Sequence, residues 1–151
     1  MAARKWDKYI INACETDPPK GHPKGTTPGT EMFYITDDVI KGAFMFCGTW
    51  LTSAPEAKPE NMKQHTHDQD EYIGFVGCDY NNPLELGAEI EFWYEDDKYI
   101  IDKSCVIFIP KLVRHAPMVY LKVDKPFFIF STIPDPKHST NVIEDPNWSR
   151  T

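Results

Sequence analysis

The chain has no apolar run of bilayer length, and nothing in its 151 residues approaches the roughly 20 consecutive apolar residues of a spanning helix. Its start, Met1-Ala2-Ala3-Arg4-Lys5-Trp6-Asp7-Lys8, is charged and leads into no apolar stretch of signal-peptide length. The expectation is a cytoplasmic protein without a membrane partner. Positive charge is scarce as well: 16 Lys and Arg stand against 23 Asp and Glu, a formal net charge of −7. Phosphate backbones are held by clustered Lys and Arg, and no such cluster is visible, so nucleic acid is not expected as a partner. Cysteine is sparse and dispersed. Cys14, Cys47, Cys78 and Cys105 form no Cys-x-x-Cys pair and no dense framework, which argues against a zinc ribbon, a dithiol redox centre or a disulfide scaffold. Thiols are expected, with Cys47 and Cys105 filling apolar strands and Cys78, beside Gly77, near a pocket. Helical periodicity of any length is missing too.

What remains is a strand-forming composition. Hydrophobic residues make up 41% of the chain, aromatic residues 13%, and there are 13 prolines, a balance that favours strands joined by turns in one domain with its own core. Residues 17–30 are too rich in proline and glycine for regular structure, so residues 1–30 form an extended arm. Strands are expected at 32–35, 42–51, 71–77, 84–94, 99–101, 105–110 and 126–132, separated by turn signals. A polar, proline-bearing tail runs from 134 to 151. Residues 31–133 are thus the folded unit, all-β, with eight or more strands spaced as in a sandwich or barrel. The acidic and apolar alternation from Glu89 to Trp93 has two readings, glutamates facing solvent or a sheet face that forms a dimer.

Chemistry concentrates in two segments. His65-Thr66-His67-Asp68-Gln69-Asp70-Glu71 places two imidazoles two residues apart, so on an extended backbone both point to one face and grip one ion together. The polar stretch after them is long enough to turn the chain and return Glu71 as an anionic ligand from the next strand. His115, at the end of the apolar run 105–110, supplies the fourth. Three of the five histidines fall in these segments; His22 and His138 sit in loop-like settings and are expected at the surface. Three imidazoles and one carboxylate are borderline ligands that suit one divalent transition metal, Mn, Fe, Co, Ni or Zn, and octahedral coordination would leave two positions open. Around the ion, Tyr72, Gln64, Arg114 and Lys111 are candidates. Arg114 and Tyr72 are the expected substrate-binding residues, Arg114 by pairing with a substrate carboxylate, although a solvated loop charge is the competing reading for Arg114 and Lys111.

Over residues 44–130 the chain resembles a small single-domain metal-binding cupin. The first cupin motif, G-x5-H-x-H-x3-E-x6-G, is matched by His65, His67 and Glu71, with Gly77 one residue early and Pro59 at the opening glycine. The second, G-x5-P-x-G-x2-H-x3-N, is matched by Pro110 and His115, with Ser104, Leu112 and Val119 replacing the glycines and the asparagine. The departures fall at turn and strand-end positions. The resemblance implies a jelly-roll β-barrel of two antiparallel sheets, often dimeric, with all four metal-ligand positions kept. It implies a metal-dependent enzyme acting on a small polar molecule, a carboxylate, sugar or keto-acid derivative, by oxygenation, isomerisation or lyase chemistry. The alternative is a non-catalytic metal- or small-ligand-binding module, because one scaffold hosts many functions.

Overall fold

Neighbouring residues of a strand face opposite ways, and this alternation organises the structure, a computed structural model that describes residues 5–14, 16, 29–54, 63–135, 137 and 141–143. A short 3-10 turn, Asp7–Tyr9, precedes ten strands among the described residues: β1 (Gly29–Ile35), β2 (Met45–Leu51), β3 (His65–Thr66), β4 (Glu71–Gly77), β5 (Glu85–Tyr94), β6 (Asp97–Lys103), β7 (Cys105–Ile109), β8 (His115–Val123), β9 (Phe127–Ile133) and β10 (Asn141–Val142). They form two five-stranded sheets, ordered β1-β2-β9-β4-β7 and β10-β3-β8-β5-β6, and every registered pair is antiparallel. The all-β, two-sheet architecture expected from the sequence is the one observed. No helix among the described residues is long and apolar enough to cross a membrane.

The core lies between the sheets. Leu86, Ala88, Ile90 and Phe92 turn inward from β5 while Glu89 is exposed, so the glutamate belongs to the outer face. Ile73 and Phe75 of β4, Leu51 of β2 and Phe127 of β9 meet them from the opposite sheet. Burying such side chains contributes about 1.5–3 kcal/mol each and is the main term that closes the barrel.

Two local expectations are corrected. His115 does not end the strand before it: Pro110 follows β7, Val113 N–H donates to Pro110 O (3.1 Å), and His115 opens β8, a strand that the apolar pattern had not disclosed. Cys78 is exposed and follows the far end of β4 from Glu71, about 20 Å away along a seven-residue strand. No disulfide forms among the described cysteines. His22, His138, Pro59 and most of the arm and tail lie outside the described residues. Of the arm, Thr16 Oγ1 accepts a hydrogen bond from Tyr34 N–H (2.9 Å). Of the tail, β10 pairs with β3, Val142 opposite His65.

Candidate metal centre

His65 and His115 are register partners, directly opposite each other on β3 and β8, so their side chains leave the same sheet side by side. His67 follows two residues after His65 and therefore returns to the same face. The three rings converge, with centroids 4.3 Å apart for His65 and His115, 4.9 Å for His65 and His67 and 5.3 Å for His67 and His115. One ligand atom from each of the three lies within 4.8 Å of the others, a grouping that could hold a metal ion.

Glu71 reaches them from the other sheet. The bend at 68–69 carries the chain across, and Glu71 opens β4 with its side chain turned inward. Its Oε2 lies 3.0 Å from His115 Nε2 and 3.4 Å from His67 Nε2. All three groups are deeply buried, at 5% exposure for Glu71, 3% for His67 and 1% for His115. The loops that carry them are tied together. Leu112 N–H donates to His67 O (2.8 Å) and Lys111 N–H to Asp70 Oδ1 (2.9 Å), which holds the segment before His115 against the segment after His67.

The hydrogen bonds on the far side of each ring decide what faces inward. His65 Nδ1 lies 2.9 Å from Lys63 O and His115 Nδ1 3.1 Å from Val113 O. A carbonyl only accepts, so each Nδ1 carries the proton and each neutral ring presents Nε2 as a lone pair. Glu71 Oε2 and His115 Nε2 are then two acceptors 3.0 Å apart, both buried and neither in a conventional hydrogen bond. Two lone pairs at that distance repel unless a cation sits with them, either a proton or a metal ion. The donor set, imidazole nitrogens plus a carboxylate oxygen, fits a divalent transition ion.

Ionisation follows the same geometry. Burial, reinforced by the neighbouring His115, pushes His65 down to about 4 from an ordinary 6.5. Burial pulls Glu71 upward, yet the adjacent His115 and His67 imidazoles and the hydrogen bond from the Ser131 hydroxyl outweigh it and hold the carboxyl well below its usual range. Ser131, on β9, donates to Glu71 Oε1 and so leaves Oε2 turned toward the imidazoles. Neither motif pointed to Ser131. The signal that could have found it is a hydroxyl in phase with Phe127 and Ile129 on the inward side of an apolar strand.

The other candidates sit elsewhere. The alternation that turns Glu71 inward turns Tyr72 outward, where it is 48% exposed and packs on Phe108 with ring centroids 5.1 Å apart. The Arg114 guanidinium pairs with Asp96 and lies 3.5 Å from Glu95, while Arg114 N–H donates to Glu95 Oε1 (3.1 Å), so this residue clamps the β5–β6 turn. Gln64 is buried and donates from Nε2 to Glu95 O (3.3 Å), and Lys111 is exposed.

No family model matches the chain, and no curated protein matches it. Solved structures do. The polyketide cyclase RemF from Streptomyces resistomycificus superposes with a TM-score of 0.53 at 14% identity, covering 97% of this chain and 89% of that one. A conserved protein with a double-stranded β-helix domain from Klebsiella pneumoniae gives 0.48 at 9% identity over 82% of this chain and 89% of that one. An RmlC-like cupin from Shewanella frigidimarina gives 0.40 at 14% identity over 70% and 74%. At 14% identity the likeness to the polyketide cyclase concerns the fold alone, a jelly roll of two antiparallel β-sheets.

Proposed function

We propose that this cupin-type barrel is a metal-dependent enzyme in which His65, His67, Glu71 and His115 hold one divalent transition ion, Mn, Fe, Co, Ni or Zn. The observation that carries the reading is the 3.0 Å approach of Glu71 Oε2 to His115 Nε2, whose proton is on the opposite nitrogen. Such a contact suits two ligand atoms that share one cation. When bound, a divalent ion polarises a carbonyl or acidifies a coordinated hydroxyl of a small polar guest, the chemistry that oxygenases, isomerases and lyases of carboxylates, sugars and keto acids share. The chain's own residues orient and exclude. The carbonyls of Lys63 and Val113 fix the tautomers of His65 and His115, and Ser131 fixes the rotation of the Glu71 carboxylate. His65 is less buried than the other two imidazoles and is the ring of the three nearest to solvent. The name of the polyketide cyclase neighbour supports a catalytic reading over a purely structural one.

Metal titration of protein purified without an affinity-metal step tests this. One ion per chain is expected for the wild type, and none for His67→Ala or His115→Ala at unchanged β-sheet circular dichroism. Undiminished metal uptake by both variants would refute the ligand set. A screen of small chelating acids with and without oxygen then separates enzyme from binding module, because saturable binding without turnover across the screen favours the module.

A further inference from the structure

The strand that carries His65 does not hold itself in place. β3 is two residues long, too short to persist without partners, and it meets β8 at a single registered pair, His65 opposite His115. On its other side β10 supplies two pairs, Asn141 opposite Thr66 and Val142 opposite His65. In the sequence, Val142 and Ile143 are adjacent β-branched residues, the type that favours an extended backbone, set in a tail that is polar and proline-bearing around them. Two further hydrogen bonds fasten this segment beyond either end of β3. Ile143 N–H donates to Gln64 O (2.9 Å), just before His65, and Asn141 Nδ2 donates to Asp68 Oδ1 (3.1 Å), just after His67. The tail thus brackets the His65 and His67 pair.

The bracket runs on toward the third imidazole. Gln64, whose carbonyl takes the Ile143 bond, is 3% exposed and donates from Nε2 to Glu95 O (3.3 Å). Glu95 N–H in turn donates to Arg114 O (2.8 Å), beside His115. The Lys63 carbonyl that faces His65 Nδ1 precedes Gln64 directly. Lifting residues 141–143 away would release the backbone on both flanks of His65 and His67 and leave one registered pair to aim β3. Partners outside the ligand shell that orient ligands in this way change metal affinity without touching the ion. The segment is also weakly held: it is two residues at the edge of a sheet, with Asn141 exposed, so it opens at lower cost than the core strands. We infer that residues 141–143 are a positioning strap for the metal centre, with Asn141 acting through Asp68, so that docking of the strap and uptake of the ion favour each other. This rests on the metal reading above. Linkage makes the effect reciprocal: the factor that the strap adds to metal affinity is the factor that the metal adds to docking.

Cobalt titration of the full chain, followed by the visible d–d absorption of the bound ion, reads affinity and ligand geometry together. Ile143→Pro removes the N–H that reaches Gln64 and should weaken binding roughly 10–100-fold. Asn141→Ala, at an exposed side chain, should weaken it roughly fivefold. The exchanged pair Asp68→Asn/Asn141→Asp rebuilds the same bond with donor and acceptor reversed and should bring affinity back to within about twofold of wild type. In hydrogen exchange, the amides of residues 141–143 should slow when cobalt is added to the wild type, by about the factor that Ile143→Pro costs in affinity, and should not respond in His67→Ala. A tail that only covers a sheet edge would lower the unfolding midpoint of the metal-free protein and leave cobalt affinity and spectrum alone. That result overturns the inference, as does an Asn141→Ala loss that the exchanged pair fails to recover, or exchange at 141–143 that ignores cobalt. Should Ile143→Pro fail to fold, the wild-type exchange measurement decides. A wild type that takes up no cobalt overturns the metal reading and the strap with it, whereas cobalt held equally by wild type and Ile143→Pro overturns the strap alone.

Discussion

Leu112 occupies a backbone conformation that suits glycine, with φ at +65°, at the position where the second cupin motif carries glycine. For an L-residue this left-handed geometry costs about 1–2 kcal/mol, because Cβ crowds the following carbonyl. The chain keeps the turn because Leu112 N–H reaches His67 O (2.8 Å), joining the loops that carry His67 and His115. Leu112→Gly removes the crowding and loses little burial, since Leu112 is 62% exposed. Against the gain stands the greater freedom of glycine in the unfolded chain, about 0.5–1 kcal/mol. The net expectation is a stabilisation of roughly 0.5–1 kcal/mol, which for a chain of this size raises Tm by about 1–4 °C. Leu112→Ala keeps Cβ and should show no gain. Thermal unfolding of the three proteins side by side measures the difference, with metal titration expected to be unchanged because the hydrogen bond to His67 uses only backbone. A lower Tm for Leu112→Gly than for the wild type, or an alanine variant that matches the glycine one, would refute the reasoning.

Ser131→Ala should bind metal about 10–100-fold more weakly by releasing the Glu71 carboxylate, and Ser131→Thr, which keeps the hydroxyl, should recover most of the loss. Equal affinity in calorimetric titrations of wild type and alanine variant would remove Ser131 from the site. The metal-free protein should lose stability as pH falls from about 6.5 toward 4. In that window the unfolded chain protonates His65 while the folded chain keeps it neutral, at up to about 1.4 kcal/mol per pH unit, or roughly 3 kcal/mol in all. The depressed Glu71 extends the loss further into acid, from its ordinary 4.5 downward. Denaturant melts at stepped pH should show a shallower slope for His65→Gln above pH 4.5, and an unaltered slope would count against the buried neutral imidazole. Arg114→Ala should cost about 1 kcal/mol or less, as expected for a partly exposed ion-pair clamp, and leave metal affinity within about twofold. A selective loss of substrate affinity would instead return Arg114 to the binding role that its place beside His115 first suggested.

The residues gathered at the candidate site were legible because their chemistry survives in the spacing. His65 and His67 share a face by strand periodicity alone, and the polar bend before Glu71 announces the crossing between sheets. Their role as metal ligands remains the proposal argued above. What the spacing cannot carry is pairing between distant segments. β3 is two residues long and is placed by β8 on one side and β10 on the other, so its position depends on residues 115 and 141–142 and not on its own propensity. β8 was hidden for a related reason: it holds Pro117 after Ala116 in a left-handed conformation, a local sequence that argues against a strand and is overridden by pairing with β5 along most of its length.

Adjacency in sequence misled where alternation should have been applied throughout. Tyr72 neighbours Glu71 and for that reason faces away from it, while Ser131, 60 residues from Glu71, makes the hydrogen bond. The same alternation, carried through β9, separates the two faces of one strand. Ser131 turns inward to the carboxylate, and Phe128 and Phe130 turn outward to the apolar face, so a register slip of a single residue would exchange them and destroy both. The glycines guard that register from outside. Gly48 and Gly74 sit opposite Phe130 on the two flanking strands, and a side chain at Gly74 would displace the ring that closes over it. Glu71 and Ser131 on the inner side of this sheet and the aromatic residues on its outer side are therefore set by one alternation. That coupling explains why β9 carries apolar residues on both faces and a single inward hydroxyl between them.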